Sequence, residues 1–290
     1  AQGVPTAIID SYQLGLAQVF ALAGGNPDLQ EETADTFSFG AVIQSPFEHP
    51  LLSRMSASID WYSIKVKDAV GSLPVKNSFQ FCYNAGGANP TFDPTNYYCQ
   101  LIARNTASGV PLNPVQPLQN LGQFETTGID FQFDWNIDLM DVGLSDDAGQ
   151  LAINVSVGWL DQFKIQNLPN AATYDYAGTW GTAVETSAGQ AHPEWKSVTS
   201  ATYSRGPASV GLRWRYISEM KNSATVVTPT STARGVKAYN IFDLNGRVKL
   251  PWETDLRFGV NNLFNQNPPQ AGDTEYNYDQ QNYDVMGRTY

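Results

Sequence analysis

The sequence predicts an all-β fold, an antiparallel transmembrane β-barrel segment with short turns on one side and long loops on the other. Two observations support this prediction. Apolar and polar side chains alternate in about nine segments with a period of two residues, which places them on opposite faces of a strand. The connections between these segments alternate between short and long, a pattern typical of outer-membrane barrels.

The alternation is clearest in IDFQFDWNIDL at residues 129–139, where every second residue is apolar and the intervening ones are Asp, Gln or Asn. A soluble sandwich would point such polar side chains at bulk water, whereas a barrel would point them into a water-filled lumen. Strands are predicted at residues 36–43, 55–61, 129–139, 151–159, 195–203, 210–216, 239–250 and 256–260, and a last strand begins near Tyr283.

The connections decide between these two interpretations. The short ones are SPFEHPLL, MDVGLSDDAG, SRGPAS and PWET. Loops longer than about 12–15 residues are uncommon in compact soluble domains unless they are functional. Here the long connections lie near residues 68–121, 166–193, 222–236 and 266–282, and a short helix is predicted in DSYQLGLAQVFALAGG at residues 10–25.

Composition excludes several classes of protein. A net charge of -11 argues against nucleic-acid binding, which needs a basic surface. No stretch approaches the roughly 18 apolar residues of a membrane-spanning helix. The two histidines, His49 and His192, have no second ligand at metal-binding spacing, so we expect no metal, no cofactor and no enzymatic activity. No signal peptide is visible, so we expect that it was removed or that the sequence is a fragment.

Five motifs, in order along the chain, resemble the C-terminal barrel part of TonB-dependent outer-membrane receptors. They are GGNPDLQEETADTFSFGAV at 24–42, IDWYSIKVKDAV at 59–70, QFETTGIDFQFDW at 123–135, FGVNNLFNQNPP at 258–269 and YDVMGRTY at 283–290. The resemblance implies that residues 33–290 belong to a barrel of about 22 strands. It also implies that residues 1–32 form an extracellular loop with the short helix.

The same resemblance implies a function and a set of partners. Such receptors lie in the bacterial outer membrane and import a scarce nutrient, such as a siderophore or an oligosaccharide, with energy relayed by TonB. The expected partners are outer-membrane lipid, the transported ligand, an N-terminal plug, the remaining strands, and TonB acting through the plug. Neither plug nor TonB-contacting segment is present in this sequence, so the first and last strands are expected to pair with strands outside it.

Charged residues on the polar face of the strands are predicted to line the lumen. Aromatic residues in the loops YDYAGTW and EYNYDQQNY are candidates for ligand contact, because aromatic faces beside carboxylates and amides suit sugars or peptides; packing between loops is the alternative. The lumen candidates are Asp130, Asp134, Arg213, Arg215, Arg247 and Lys249, and the loop candidates are Tyr174, Tyr176, Trp180, Tyr276 and Tyr278.

Cys82 and Cys99 are the two cysteines of the chain, and their close spacing without a metal pattern fits an oxidising compartment. Two unpaired thiols are the alternative. A disulfide here resembles those in long extracellular loops of the receptor family, and it would rigidify a ligand-facing loop or simply stabilise it.

Two other functions are consistent with the sequence. A passive porin-like channel would share the strand pattern but would contain a constricting loop and no plug. A soluble extracellular β-sandwich that binds glycans would share the alternation but would be extracted without detergent.

Overall fold

The computed structural model describes residue 7 and residues 20–166, 172–181, 191–270, 279 and 282–290. The chain forms two compact units. The first comprises Ala1–Ala34, Val66–Gln123 and Gln166–Ala172, and the second comprises Asp35–Lys65, Phe124–Ile165 and Thr173–Tyr290.

Strands dominate the described residues, and the helices are short. The strands are β1 (Leu22–Gly24), β2 (Thr33–Gln44), β3 (Met55–Ser72), β4 (Val115–Asp138), β5 (Gln150–Gln166), β6 (Tyr174–Asp175), β7 (Thr179–Trp180), β8 (Ala191–His192), β9 (Trp195–Arg205), β10 (Ala208–Ile217), β11 (Lys221–Asn222), β12 (Tyr239–Leu250) and β13 (Thr254–Val260). The helices are α1 (Pro50–Ser53), α2 (Val75–Cys82), α3 (Tyr97–Gln100) and α4 (Ala224–Val227), with 3₁₀ turns at Ala85–Gly87 and Leu139–Val142. None of the described helices is long and apolar enough to cross a membrane.

The long strands form one sheet in the order β13-β12-β10-β9-β5-β4-β3-β2. The pairs β5–β9, β9–β10, β10–β12 and β12–β13 are antiparallel. Two short strands are added at the side, β1 parallel to β4 and β6 antiparallel to β5, and β11, β7 and β8 form a small separate sheet. The all-β, antiparallel prediction is therefore confirmed.

Eight of the predicted strands are present, and several extend beyond their predicted ends. The ninth prediction is wrong for the described residues 282–290, where only one isolated bridge forms, between Asn261 and Thr289. Tyr283 is 4% exposed and packs edge-on against Tyr239, with 5.0 Å between the ring centroids. Tyr283 therefore contacts β12 through its side chain and not through a strand ladder.

The predicted N-terminal helix falls largely outside the described residues. Its predicted end is wrong, because Leu22–Gly24 are strand β1 and pair with Val115–Pro117 of β4. The backbone N–H of Leu22 also donates to the Pro114 carbonyl at 2.8 Å. The segment before Gly24 is therefore extended where it meets the sheet.

One face of the long strands exposes large apolar side chains. Trp214 and Phe242 stack directly across the β10–β12 pair, with 6.1 Å between their ring centroids. A soluble sheet would bury such a surface, whereas a strand facing lipid exposes it. Exposed members include Phe37, Phe39, Ile59, Trp61, Leu212, Trp214, Leu256 and Phe258.

The short turns at one end of the sheet are held by polar contacts. Arg54, next to α1, lies 3.8 Å from Asp138 and 3.5 Å from Asp141. The indole N–H of Trp135 donates to the Leu51 carbonyl at 2.7 Å. These contacts fix the turn before β3 against the end of β4.

Candidate functional site

A row of polar side chains crosses five strands on the face opposite the exposed apolar residues. Asn154, Ser200, Arg213 and Asp243 lie directly opposite one another across β5, β9, β10 and β12. The Asn154 amide donates to Asp134 of β4 at 2.5 Å, and the Ser200 hydroxyl donates to Asn154 at 3.3 Å. The row therefore joins two of the predicted lumen residues, Asp134 and Arg213.

Asp243 is the most buried charge in this row and the centre of an ion cluster. Its carboxylate is 4% exposed and accepts from Arg213 Nε at 2.9 Å, Arg215 Nε at 3.1 Å and Arg215 Nη2 at 3.1 Å. The backbone N–H of Asn262 donates to Oδ1 of Asp243 at 2.9 Å, the oxygen that also accepts from Arg215 Nη2. A buried carboxylate is tolerated only when it is paired and hydrogen-bonded in this way.

The local sequence explains how the two arginines meet one carboxylate. Arg213 and Arg215 are two residues apart on β10, so they project from the same face. The register places Asp243 opposite Arg213, within diagonal reach of Arg215. The turn after β13 then brings the Asn262 amide to the same carboxylate.

The remaining predicted lumen residues lie apart from this cluster. Arg247 pairs with Asp255 through Nη2 at 2.5 Å, and Lys249 lies directly opposite Asp255. Asp130 is exposed, and its carboxylate lies close to Gly158 of β5. A Cβ atom on Gly158 would lie 3.2 Å from Oδ1 of Asp130. The structure thus brings Arg213 and Arg215 together on one carboxylate and places Asp134 in the hydrogen-bonded row beside them, whereas the other three lie apart.

Sequence reasoning did not select Asp243 or Asn262. Asp243 stands on the polar side of the alternation in FDLNGRVKL, so its face was predictable. Its pairing with the β10 arginines depends on strand register, which the alternation does not specify. Asn262 lies in VNNLFN, a motif noted for its family resemblance rather than for a contact.

The two cysteines form a disulfide, as predicted, with an S–S distance of 2.07 Å. Asn89 is 2% exposed and organises the loop between them. Its amide donates to the carbonyls of Cys82 at 2.8 Å and Asp93 at 3.0 Å, and its carbonyl accepts from the Asp93 N–H at 2.9 Å. The loop is therefore closed both covalently and by a buried amide.

A small apolar cluster supports this stapled loop. Ile102 is fully buried against the disulfide, and Phe79 and Tyr98 pack around it. Arg104 covers the Phe79 ring at 5.1 Å from its centroid, a cation–π contact. At the loop surface, Asp93 accepts from the Thr95 N–H and hydroxyl at 2.8 and 2.7 Å, and these hydrogen bonds lower the pKa of Asp93.

The loop aromatics lie in two apolar clusters. Tyr176, 1% exposed, packs with Ile165, and Tyr174 lies at the edge of that cluster. Trp180 is fully buried with Tyr239 and other residues of a second cluster. Their contact with a ligand stays a prediction. Tyr276 and Tyr278 lie outside the described residues.

No group of three or more His, Cys, Asp or Glu side chains in the described part of the chain could hold a metal ion. The candidate site consists instead of guanidinium, carboxylate and amide groups on a sheet face. Such groups bind and orient polar ligands by charge-assisted hydrogen bonds.

A family model described as TonB dependent receptor-like, beta-barrel matches residues 6–263. The chain belongs to the TonB-dependent receptor-like β-barrel family. This assignment agrees with the antiparallel sheet, its exposed apolar face and the motif resemblance. It replaces the soluble β-sandwich interpretation. No curated relative matches the sequence.

Solved structures with a similar fold include an iron transporter and siderophore receptors of low sequence identity. The FrpB iron transporter of Neisseria meningitidis (F3-3 variant) matches with a TM-score of 0.54 and 13% identity. A Q482A mutant of the Pseudomonas aeruginosa ferric enterobactin receptor, in complex with enterobactin, matches with a TM-score of 0.56 and 13% identity. The siderophore receptor PirA of Acinetobacter baumannii matches with a TM-score of 0.51 and 14% identity.

Each match covers 92% of this chain but only about a third of the other protein, 31% for the first two and 32% for PirA. The chain therefore spans less than two thirds of the length of these structures. At this level of identity the likeness demonstrates the fold. The activity of a whole receptor does not follow from it directly.

Proposed function

We propose that this chain forms part of the barrel of an outer-membrane receptor that takes up a scarce nutrient by active transport. The family match over residues 6–263 carries this proposal. The family implies a bacterial outer membrane, and its members and the structural neighbours are transport receptors rather than enzymes. Energy would come from TonB, which would act through a plug domain.

In this proposal the polar face lines the lumen, and the exposed apolar face contacts lipid. The division of the two faces supports this orientation. Trp214 and Phe258 are exposed on one face, whereas Arg213, Arg215 and Asp243 form a hydrogen-bonded network on the other. An ion network in lipid would lack water for its remaining donors, which would be costly.

The first ligands to test are iron–siderophore complexes. The structural neighbours include an iron transporter, a ferric enterobactin receptor and a siderophore receptor. An oligosaccharide or another nutrient is the second class. The disulfide-closed loop and Trp180 belong to the long connections, which would lie outside the cell.

The experiment is an uptake assay in the source bacterium with the gene deleted and then restored. Radiolabelled iron–siderophore complexes should accumulate only in the restored strain, and a protonophore should abolish the accumulation because TonB needs the proton gradient. A passive channel would give uptake that is insensitive to the protonophore and proportional to external concentration. Either that result or equal uptake in the deletion strain would contradict the proposal.

A further inference from the structure

A cavity of about 560 Å³ lies beside the ion cluster of Arg213, Arg215 and Asp243. Its walls include both guanidinium groups and Lys196 of β9. The volume is in the range that holds small organic molecules. All of these residues belong to the second compact unit, so the cavity is formed within one part of the chain.

The guanidinium groups of Arg213 and Arg215 are held in place by Asp243, and each keeps N–H donors that are not hydrogen-bonded to it. Each contacts Asp243 through Nε and Nη2, at 2.9 to 3.1 Å. A guanidinium carries five N–H donors, and Nη1 of either arginine has no hydrogen-bond partner among the described residues. Asp243 therefore fixes the direction of both side chains, because it occupies one edge of each.

The charge around the cavity does not balance. Arg213, Arg215 and Lys196 supply three positive charges, and Asp243 and Asp284 supply two negative ones. Lys196 forms no ion pair within the described residues. The described residues around the cavity therefore carry an excess of positive charge, which favours an anionic ligand.

Apolar side chains line the cavity beside the cations, because Ile241 lies directly across from Arg215 on the paired strand and Ile217 lies directly across from Lys196. Ile217, Tyr239 and Ile241 line the cavity, and Tyr239 and Ile241 are each 5% exposed. Inorganic phosphate has no carbon surface to place against these apolar side chains. A carboxylate with a short hydrocarbon portion matches both the cationic and the apolar lining residues, since its planar head suits a guanidinium edge.

We propose that this cavity is a binding site for a small organic carboxylate, held by the free guanidinium edges of Arg213 and Arg215 and by Lys196. The carbon portion of the ligand lies against Ile217, Tyr239 and Ile241. The site is an addition to the proposed uptake function and does not depend on it. It would bind the carboxylate in the absence of TonB and of an energised membrane.

The test uses the native protein purified in detergent, with butyrate as the probe and saturation-transfer NMR as the readout. Butyrate should bind, and inorganic phosphate should displace it only at a higher concentration. Arg215→Gln should weaken butyrate binding about tenfold or more, since it removes a charge-assisted hydrogen bond. Arg215→Lys should weaken it as well, because it keeps the charge but loses the planar edge.

Arg247→Gln is the matched control. Arg247 is on the same strand face and also pairs with an aspartate, Asp255, but it does not line the cavity. Its replacement should leave butyrate binding unchanged. Heat-dependent gel mobility should first confirm that each variant is folded.

Three results would overturn the inference. The first is that the native protein does not bind butyrate. The second is that Arg215→Gln and Arg247→Gln weaken butyrate binding equally. The third is that phosphate displaces bound butyrate at a phosphate concentration below that of butyrate. Protonophore-sensitive uptake combined with any of these results would leave the proposed function standing. Butyrate binding without uptake would support the site and contradict the proposed function.

Discussion

Replacing Asp243 by Asn should destabilise the protein strongly, because Asp243 compensates two arginines at once. The carboxylate is 4% exposed and accepts hydrogen bonds from Arg213, Arg215 and the Asn262 N–H. Asparagine has almost the same shape but no charge, and its NH₂ group cannot accept from a guanidinium. The two arginines would then repel each other two residues apart on β10.

The expected loss in free energy of unfolding follows from how far the Arg213 and Arg215 side chains are exposed to water. Breaking a fully buried ion pair costs about 3–5 kcal/mol. The side chains of Arg213 and Arg215 are 47% and 41% exposed, so water recovers part of their solvation. We therefore expect Asp243→Asn to cost about 2–4 kcal/mol.

The assay is equilibrium unfolding by guanidinium chloride in lipid vesicles, followed by tryptophan fluorescence. Asp255→Asn is the control, because the Asp255–Arg247 pair is an exposed ion pair on the same face, with side chains 35% and 41% exposed. Such pairs contribute about 0–1 kcal/mol. Equal losses of free energy of unfolding in the two variants would refute the prediction that Asp243 stabilises the protein more than the exposed Asp255–Arg247 pair does.

Three further predictions concern the two faces of the sheet, the Cys82–Cys99 disulfide and Asp93 in the loop that the disulfide closes. Phe131→Lys should cost about 2–4 kcal/mol in vesicles, whereas Gln132→Lys should cost close to zero, and equal costs would contradict the barrel orientation. The disulfide should resist alkylation until it is reduced, and its removal should raise hydrogen exchange in the stapled loop but not in the strands; labelling of unreduced protein would contradict this. The hydrogen bonds from Thr95 lower the pKa of Asp93, so they stabilise the loop fully at pH values above the ordinary pKa of an aspartate, and this stability should be lost as the pH falls through the lowered pKa of the folded state. Protection of the Thr95 amide should therefore fall at acid pH, and Asp93→Asn should remove that dependence; an unchanged pH profile in the variant would contradict it.

The sequence pattern was sufficient for the strands because alternation is a local property. Residues 210–216 alternate without interruption, and they form β10 with Arg213 and Arg215 on one face. The same pattern could not identify Asp243 as their partner, because a strand can slide by two residues without changing its faces. Register is fixed by contacts between distant segments.

The loops were harder to predict for a related reason. Aromatic residues beside carboxylates favoured ligand contact for Tyr176 and Trp180 and left packing between loops as the alternative. Both residues are buried among apolar side chains, and their contact with a ligand stays a prediction. Composition does not distinguish an aromatic that packs from one that is exposed. The predicted strand near Tyr283 was wrong: among residues 282–290 only an isolated bridge forms, and Tyr283 packs against Tyr239, a partner that is distant in sequence.

The central claim is that the two faces of the sheet meet different surroundings, lipid on one side and a water-filled lumen on the other. A scan of nitroxide spin labels along residues 210–216 in outer-membrane vesicles tests this most directly. Labels at Leu212 and Trp214 should collide with oxygen dissolved in lipid, and labels at Arg213 and Arg215 should collide with a water-soluble nickel complex. Accessibility that does not alternate along β10 would contradict the account.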